Sequence, residues 1–279
     1  MLASRGLRPS RVLGQNFVVD PNTVRRVARL SGVGPGDSVV EIGAGLGSLT
    51  LALAATGAAV TAVEIDAGLI PLLTSVAAPA GVEVVQGDAL RLDWVQLLSG
   101  DRGRESRRPW VLVANLPYNV ATPMIAKVLD DVRAIVRMIV MVQREVGERL
   151  AAKVGEPAYG AISVKVAYHA TASVLGHVPP TVFMPRPNVE SVIVGIERRP
   201  EPAVDPSRVR PGRLFEVVGA GFAHRRKMLR QSLAGVVEPE AFSHAAIDPT
   251  LRAENLDVAQ WGRLAEPPPV SGQPGERPD

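Results

Sequence analysis

A short polar and aromatic stretch, Asn115-Leu116-Pro117-Tyr118, follows the apolar run of residues 110–114. The run has the length and the β-branched content of a strand, so the stretch is expected at a strand's carboxyl end, where open α/β sheets bind ligands. An amide oxygen and a main-chain carbonyl can accept hydrogen bonds from an exocyclic amine, and a tyrosine ring can stack on a flat base. These four residues therefore suit an enzyme that acts on a nucleobase amine, although a strand end followed by an ordinary turn is the alternative.

A glycine-rich turn and an acidic residue earlier in the chain indicate a nucleoside site. Gly43, Gly45 and Gly47 follow a predicted strand with the spacing G-x-G-x-G. A dinucleotide fingerprint would need a further glycine where Ser48 stands, so the pattern disfavours NAD. Glu64 ends the next predicted strand, where a carboxylate can accept hydrogen bonds from both ribose hydroxyls. The turn and the acid together predict a nucleoside cofactor.

Three other residues could contact a ligand, and each has a structural alternative. Asp88 follows a third predicted strand and could accept a hydrogen bond from an adenine amine or cap a helix. Asn16 precedes the first predicted helix and could cover a ligand or simply form a turn. Phe183 lies in a proline-rich connection, where its ring could be buried or could stack on an extruded base.

Strand-length apolar runs alternate with helix-length segments, and this alternation predicts a doubly wound parallel sheet. The predicted strands are residues 38–42, 60–63, 82–86, 110–114, 134–142, 172–178 and 189–197. Residues 159–168 could form a helix or a strand. Beyond a proline-rich linker, helical segments at 214–222, 225–234, 239–247 and 256–264 predict a small second unit.

Composition restricts the class of protein and its partners. The chain of 279 residues is 46% hydrophobic and 21% charged, and it contains no cysteine, which excludes disulfides and thiolate metal sites. It has no apolar run of membrane-spanning length and no signal-peptide pattern, so we expect a cytoplasmic protein without a membrane partner. The net charge is +3, but residues 198–230 carry +6 and the remainder −3. This basic segment predicts phosphate-backbone binding, with a solvated arginine-rich surface as the alternative.

Six motifs in order resemble the small-subunit ribosomal RNA adenine N6,N6-dimethyltransferases, over residues 13 to about 233. They are G-Q-N-F at 14–17, E-I-G-A-G-L-G at 41–47, V-E at 63–64, G-D-A-L at 87–90, N-L-P-Y-N at 115–119 and F-x-P-x-P-x-V-x-S at 183–191. The resemblance implies an α/β fold, with a Rossmann-like S-adenosylmethionine-dependent methyltransferase sheet and a small C-terminal α-helical domain. It also implies S-adenosyl-L-methionine as methyl donor, no metal, and two adjacent adenines near the 3′ end of small-subunit rRNA as target. The expected partner is small-subunit rRNA or the pre-small ribosomal subunit, and we expect a monomer.

The resemblance also assigns residues, position by position. The implied donor site comprises Asn16, Val18, Gly43, Gly45, Glu64, Asp88 and Asn115. The implied catalytic residues are Asn115, Leu116, Pro117, Tyr118 and Phe183, and the RNA-binding residues are Arg225, Arg226, Lys227 and Arg230. Val18 replaces the usual leucine, Met228 replaces the usual threonine, and the loop at 99–108 is longer than usual.

On this basis we divide the chain into five parts. They are an N-terminal arm and donor-covering loop (1–20), a methyltransferase domain (21–199), a linker (200–211), a helical C-terminal domain (212–265) and a disordered tail (266–279).

Two alternative functions stay open from the sequence. The large-subunit rRNA adenine methyltransferases that confer macrolide resistance share most of these motifs, although Arg225-Arg226-Lys227 followed by Leu229 favours the small-subunit branch. A ribosome-assembly or RNA-binding factor with incidental catalysis is the alternative from another class, and the intact stretch 115–118 argues against a purely binding role. DNA adenine methyltransferases usually have proline where Leu116 stands.

Overall fold

The computed structural model describes residues 10, 13–99 and 109–267. The predictions for the loop at 100–108, for the tail beyond residue 267 and for most of the N-terminal arm lie outside these ranges. Two compact units are present. The first contains the described residues up to Ala151 together with His169–Pro200, and the second contains Ala152–Tyr168 together with the described residues from Glu201 onward. The sequence pattern instead placed residues 152–168 in the methyltransferase domain.

A seven-stranded sheet forms the centre of the first unit. In chain order its strands are β2 (Ser38–Ile42), β3 (Ala59–Glu64), β4 (Glu83–Gln86), β5 (Trp110–Asn115), β6 (Ile135–Gln143), β7 (Ala170–Val178) and β9 (Ser191–Arg198). The spatial order is β4-β3-β2-β5-β6-β9-β7. Strands β2 to β6 are parallel, and β9 and β7 add to the β6 side as antiparallel strands. The predicted α/β fold class is confirmed, with a mixed rather than wholly parallel sheet.

The described part of this unit also has six α-helices, two 3-10 turns (Ala78–Ala80 and Pro180–Val182) and a small two-stranded sheet. The helices are α1 (Pro21–Ser31), α2 (Ser48–Ala54), α3 (Ile70–Ala77), α4 (Trp94–Ser99), α5 (Ala121–Asp131) and α6 (Arg144–Ala151). The small sheet pairs β1 (Phe17–Val18) with β8 (Phe183–Met184) in antiparallel register. Helix α1 begins after Asp20, because the Asp20 side chain accepts hydrogen bonds from the Asn22 and Thr23 amides.

The core of the first unit explains why these segments become central strands. Val39, Val113, Ile139 and Ile193, from four different strands, are all at most 2% exposed. They pack with Leu53 of α2 in one apolar cluster. A strand that is buried on both faces needs apolar residues at successive positions, and β5 and β6 have them.

The second unit is helical. Its helices are α7 (Ala161–His169), α8 (Pro211–Ala223), α9 (Leu229–Ser232), α10 (Pro239–His244) and α11 (Val258–Ala265). They surround a core that includes the fully buried Trp261. The segment at 159–168, which the sequence left as helix or strand, is mainly helix α7.

The helix predicted at 225–234 is wrong in its first half. Residues 224–226 form a turn, and only Leu229–Ser232 is helical. The Leu229 and Arg230 amides donate to the carbonyls of Leu251 and Pro249 at 2.7 and 3.0 Å. These amides are therefore unavailable to carbonyls one turn earlier, and the helix cannot extend toward Arg225. In the described part of the chain, no helix is long and apolar enough to cross a membrane.

Candidate active site

Three neighbouring parallel strands bring the predicted residues to one edge of the sheet. Ile42 of β2 lies beside Val63 of β3 on one side and Ala114 of β5 on the other. The residues that follow, Gly43, Glu64 and Asn115, therefore emerge side by side at the carboxyl end. This is where an open α/β sheet binds its ligand.

The glycine turn between β2 and α2 needs glycine for backbone and steric reasons. Gly43, Gly45 and Gly47 have φ angles of 74°, 56° and 82°, in the left-handed region that side chains disfavour. A Cβ on Gly45 would lie 2.9 Å from Cε1 of Phe17. The turn is fixed to the sheet because the Gly43 and Ala44 amides both donate to the Val63 carbonyl, at 2.9 and 3.2 Å.

Glu64 is 4% exposed and is held by two main-chain amides. Its Oε2 accepts from the Gly45 amide at 2.7 Å, and its Oε1 accepts from the Asp66 amide at 2.9 Å. Burial raises the pKa of Glu64, and the two amide hydrogen bonds oppose that rise. Each oxygen keeps a second lone pair, so the carboxylate can still accept two hydroxyl groups of a ligand.

A second buried carboxylate, Glu41, lies in β2, two residues before Gly43. It is 1% exposed, and its Oε2 accepts a hydrogen bond from the Thr50 hydroxyl at 2.5 Å. Burial raises the pKa of Glu41 to about 8 despite that hydrogen bond, and the charge of Glu64 adds to the rise. In the sequence Glu41 stands only as the first residue of a motif, and no role was predicted for it.

Asn115 is tied to the N-terminal segment. Its Nδ2 donates to the Asn16 carbonyl at 2.9 Å, and the Asn16 side chain donates to the Gly14 carbonyl at 3.2 Å. The Asn115 amide oxygen is then left as an acceptor, with no hydrogen bond from any residue that the structure describes. This hydrogen bond holds Asn16 at the end of β5.

The rest of the 115–118 stretch is held by its neighbours. Leu116 is 1% exposed, and its amide donates to the Met141 carbonyl at 3.0 Å. The Pro117 carbonyl accepts from the Val120 and Ala121 amides at the start of α5. Tyr118 is half-buried, and its hydroxyl lies 3.1 Å from Oγ of Ser191. Burial raises the pKa of Tyr118, so its hydroxyl stays protonated at neutral pH.

Two adjoining cavities of about 60 and 110 Å³ lie at this edge. Gly43, Leu116 and Pro117 line both. The first is also lined by Asn16, Gly45, Glu64, Asn115 and Tyr118. Asp88 lines the second, and its Oδ1 accepts from the Leu90 amide at 2.9 Å. The structure thus brings eight of the predicted donor-site and catalytic residues to the first cavity and places Asp88 at the next.

Val18 and Phe183 do not line either of these two cavities. Val18 is half-buried and lines a third cavity of about 30 Å³, which shares Gly43, Gly45 and Asn115 with the first cavity. Phe183 is 4% exposed and belongs to the apolar core, with its backbone paired to Val18 across β1 and β8. The structure therefore shows the buried alternative for Phe183, and its ring does not line the cavity at Tyr118.

Several residues at the site were missed in the sequence. Leu13 and Ile65 line both cavities, and Ile65 is 46% exposed although it is apolar. An apolar residue directly after the strand-end acid could have signalled a ligand contact. Gln15 lines the first cavity, and its side chain donates to Asp66 at 2.9 Å. No local sequence pattern signals that contact, because it joins residues 51 positions apart.

The basic cluster in the second unit divides into two kinds of residue. Arg225 donates to the Glu254 carboxylate and to the Pro157 carbonyl, both at 2.7 Å, so it stabilises the unit. Arg226 and Lys227 are exposed, and within the described chain their side chains form no hydrogen bond or ion pair. Arg230 is exposed as well. Among the described residues no group of three or more His, Asp or Glu could hold a metal ion.

Comparison with known proteins gives one consistent family. Residues 7–267 match the family described as ribosomal RNA adenine dimethylase. The ribosomal RNA small subunit methyltransferase A of Cutibacterium acnes is 46% identical over 274 residues, covering 94% of this chain and 89% of that protein. The protein of the same name from Thermobifida fusca is 45% identical over 277 residues, covering 95% and 92%.

Solved structures support the fold. A dimethyladenosine transferase from Plasmodium falciparum superposes with a TM-score of 0.73 at 22% identity, over 89% of this chain and 95% of that one. The 23S rRNA methyltransferase ErmE gives a TM-score of 0.68 at 24% identity, over 89% and 98%. These likenesses confirm the methyltransferase-type fold. The family match and the sequence identities show that the chain belongs to the ribosomal RNA adenine dimethylase family.

Proposed function

We propose that this protein transfers methyl groups from S-adenosylmethionine to the N6 amines of two adjacent adenines near the 3′ end of small-subunit rRNA. The observation that carries the proposal is that the unpartnered oxygen acceptor of Asn115 and the buried carboxylate of Glu64 belong to one cavity at the sheet's carboxyl edge. A ribose anchor and an amine acceptor thus stand within one site.

The residues present fit an S-adenosyl nucleoside. Glu64 offers two hydroxyl acceptors, and the glycine turn presents bare backbone where a Cβ on Gly45 would strike Phe17. Asp88 offers a carboxylate at the second cavity for the adenine amine, and Ile65 offers apolar surface there. We infer that these residues, with Asn16 and Gly43, hold the donor, which supplies an electrophilic methyl group on a sulfonium.

The target amine needs orientation more than it needs a base. Asn115 Oδ1 and the Leu116 carbonyl each accept one amine hydrogen, which directs the nitrogen lone pair toward the methyl group. Tyr118 stacks on the adenine ring, and Ser191 holds its hydroxyl. The methylated nitrogen is acidic enough to lose its proton to water, so positioning and preorganised dipoles supply the rate. Phe183, buried in the apolar core, supports this end of the sheet through the pairing of β8 with β1, and we assign it no contact with the base.

The choice of small-subunit rRNA rests on the relatives. Both relatives described above carry the name small subunit methyltransferase A at 45–46% identity, whereas the likeness to the 23S enzyme is 24%. Arg226 and Lys227 supply exposed cations for rRNA phosphates. We infer that the protein acts in the cytoplasm on rRNA or the pre-small subunit, and as a monomer, because one copy of the chain supplies every residue of the site.

The experiment that tests this mechanism is single-turnover methylation by an Asn115→Ala variant at saturating donor and rRNA substrate. Loss of one preorganised polar contact should slow the chemical step by about 10²–10³-fold. RNA binding should persist, because phosphate contacts elsewhere carry most of that affinity. Asn22→Ala, on the exposed surface of α1, is the matched control and should keep the wild-type rate. A folded Asn115→Ala enzyme within threefold of wild type would refute the assigned role of Asn115.

A further inference from the structure

A row of three polar residues crosses the sheet at its carboxyl edge, and the middle one has no role in the mechanism above. Asn115 ends β5, Gln143 ends β6, and Ser191 begins β9. These strands are adjacent, with β6 between the other two. Asn115 and Ser191 already belong to the site, the first as amine acceptor and the second through Tyr118.

The side chains of this row share one face of the sheet. Val113, Met141 and Ile193 all belong to the same buried core cluster, so they point to one face. Each stands two residues from the polar residue of its own strand. Because strand side chains alternate with a period of two, all three polar side chains point to that same face.

The register sets the spacing along the row. Gln143 lies directly opposite Ser191 in the antiparallel pair, where Cβ atoms stand about 5 Å apart. Met141 lies beside Asn115, so Gln143 is one diagonal step further along. The register therefore places Gln143 next to Ser191 and one diagonal step from Asn115. Diagonal neighbours on a sheet are about 7–8 Å apart, which is within reach of long side chains. Gln143 and Asn115 can therefore contact the same ligand.

Gln143 differs from its neighbours in being unpartnered. The Asn115 amide donates to Asn16, and the Ser191 hydroxyl meets Tyr118. Within the ranges that the structure describes, no group bonds to the side-chain amide of Gln143, although the residue is half-buried. The amide of Gln143 keeps contact with solvent and has no hydrogen-bond partner among the described residues, so both its donor and its acceptor are available to a ligand.

We propose that Gln143 reads the target adenine by donating a hydrogen bond from Nε2 to a ring nitrogen that flanks the amine-bearing edge. Glutamine amides are a common partner of adenine edges. Asn115 and the Leu116 carbonyl take the two amine hydrogens in the proposed function, on which this inference rests. The Nε2 N–H group of Gln143 is then paired with a ring nitrogen that accepts its hydrogen bond. This second contact fixes the rotation of the base about the amine.

The test compares Gln143→Met with wild type in single-turnover methylation at saturating donor and small-subunit substrate. Methionine keeps the length and volume of glutamine and removes its polar atoms. Loss of the contact should slow methylation by about 10- to 100-fold. Gln96→Met, on the exposed surface of α4, is the matched control and should keep the wild-type rate. Gln143→Glu, which keeps the size and removes the donor, should show the same loss and serves if the methionine variant does not fold.

A second arm separates base reading from a packing role. Small subunits are reconstituted with 1-deazaadenosine or 7-deazaadenosine at the target positions, which removes one ring nitrogen at a time. For wild type, one of the two analogues should reproduce the loss caused by Gln143→Met. With that analogue, Gln143→Met should lose no further rate. The two analogues thus identify whether the nitrogen read is N1 or N7.

Failure of the Gln143 inference and failure of the proposed function give different experimental results. Absence of N6-methylated adenine with wild-type enzyme would overturn the proposed function itself. An active wild type with Gln143→Met and Gln143→Glu within threefold of it would overturn only the inference. The inference would also be overturned if the effects of analogue and substitution were independent. In that case each analogue would slow Gln143→Met by the same factor as it slows wild type.

Discussion

Glu41 and Glu64 are two buried carboxylates with different surroundings. Glu64 receives two main-chain amide hydrogen bonds, which oppose the rise in its pKa that burial causes, and it lines a cavity where it can meet a ligand. Glu41 receives one hydroxyl hydrogen bond and is 1% exposed. The difference in environment predicts a ligand-binding group at Glu64 and, below a pH of about 8, a protonated structural group at Glu41.

Replacing Glu64 with alanine should weaken S-adenosylmethionine binding by about 2–4 kcal/mol, because two charge-assisted hydrogen bonds to the ribose are lost. Isothermal titration calorimetry measures this directly, and a thermal melt checks folding. Glu83→Ala removes an exposed acid at the start of β4 and should leave the affinity unchanged. Unchanged donor affinity in folded Glu64→Ala would show that Glu64 is not the ribose anchor.

Replacing Glu41 with glutamine should change how stability depends on pH. The pKa of Glu41 is about 8 in the folded state against 4.5 as the reference value, so between these values the folded state holds a proton that the unfolded state releases. Wild-type stability therefore falls as the pH rises through this window, by at most about 1.4 kcal/mol per pH unit from this group. Glutamine does not titrate, so the variant should gain stability relative to wild type from pH 5 to pH 8.

Chemical denaturation of both proteins at several pH values measures this difference. A stability difference that stays constant from pH 5 to pH 8 would show that Glu41 is already ionised in the folded protein.

At the scale of elements, the turn between β2 and α2 is the most restricted segment of the site. Gly45→Ala forces an alanine into a positive φ, which costs about 1–3 kcal/mol of stability. It also places a Cβ 2.9 Å from the Phe17 ring. Gly81→Ala is the matched control, because Gly81 has φ 71° but no described atom beyond its own chain neighbours lies within 4 Å of the position that a Cβ would take. Both variants should lose stability, and Gly45→Ala should also lose donor affinity. Equal effects of the two variants on donor binding would mean that the contact with Phe17 is unimportant.

Strand ends were predictable from the sequence, and they carry most of the site. The runs before Gly43, Glu64 and Asn115 are apolar and bounded by turn residues, so the register of a parallel sheet brings these residues together without further information. The burial of Phe183 was not predictable. It depends on the pairing of β1 with β8, two short strands more than 160 residues apart in the chain.

Contacts between distant segments account for the other differences. Ser191 meets Tyr118 across 73 residues, and the amides of Leu229 and Arg230 bond to residues near 250 instead of to an earlier helical turn. Periodicity describes each segment alone, so it extended the helix back to Arg225. Residues 152–168 pack with the helical unit for the same kind of reason, since the Tyr159 hydroxyl donates to the Leu256 carbonyl at 3.0 Å.

At the scale of the whole molecule, the first unit contains the candidate active site and the second contains the exposed basic cluster. Arg226 and Lys227 have no protein partner in the described chain, whereas Arg225 is held by Glu254 and the Pro157 carbonyl. We therefore expect Arg226 and Lys227 to contact rRNA phosphates and Arg225 to stabilise the second unit.

Neutralising Arg226 and Lys227 together should weaken rRNA binding and reduce the log–log salt slope by about two, one for each lost phosphate contact. Donor affinity should not change. The matched control is a double alanine variant of Arg25 and Arg29, two exposed arginines of α1, which should keep the wild-type slope. Filter binding across a salt series gives both slopes, and an unaltered slope in the Arg226 and Lys227 variant would show that the pair is only a solvated surface.

The central claim, methylation of adenine N6 in small-subunit rRNA, is tested most directly by supplying isolated small and large ribosomal subunits with labelled S-adenosylmethionine. The labelled nucleosides are then identified by mass spectrometry and mapped along each rRNA. We predict N6,N6-dimethyladenosine at two adjacent positions near the 3′ end of the small-subunit rRNA, and no label in the large subunit. Label in large-subunit rRNA alone, or on any atom other than adenine N6, would contradict the account.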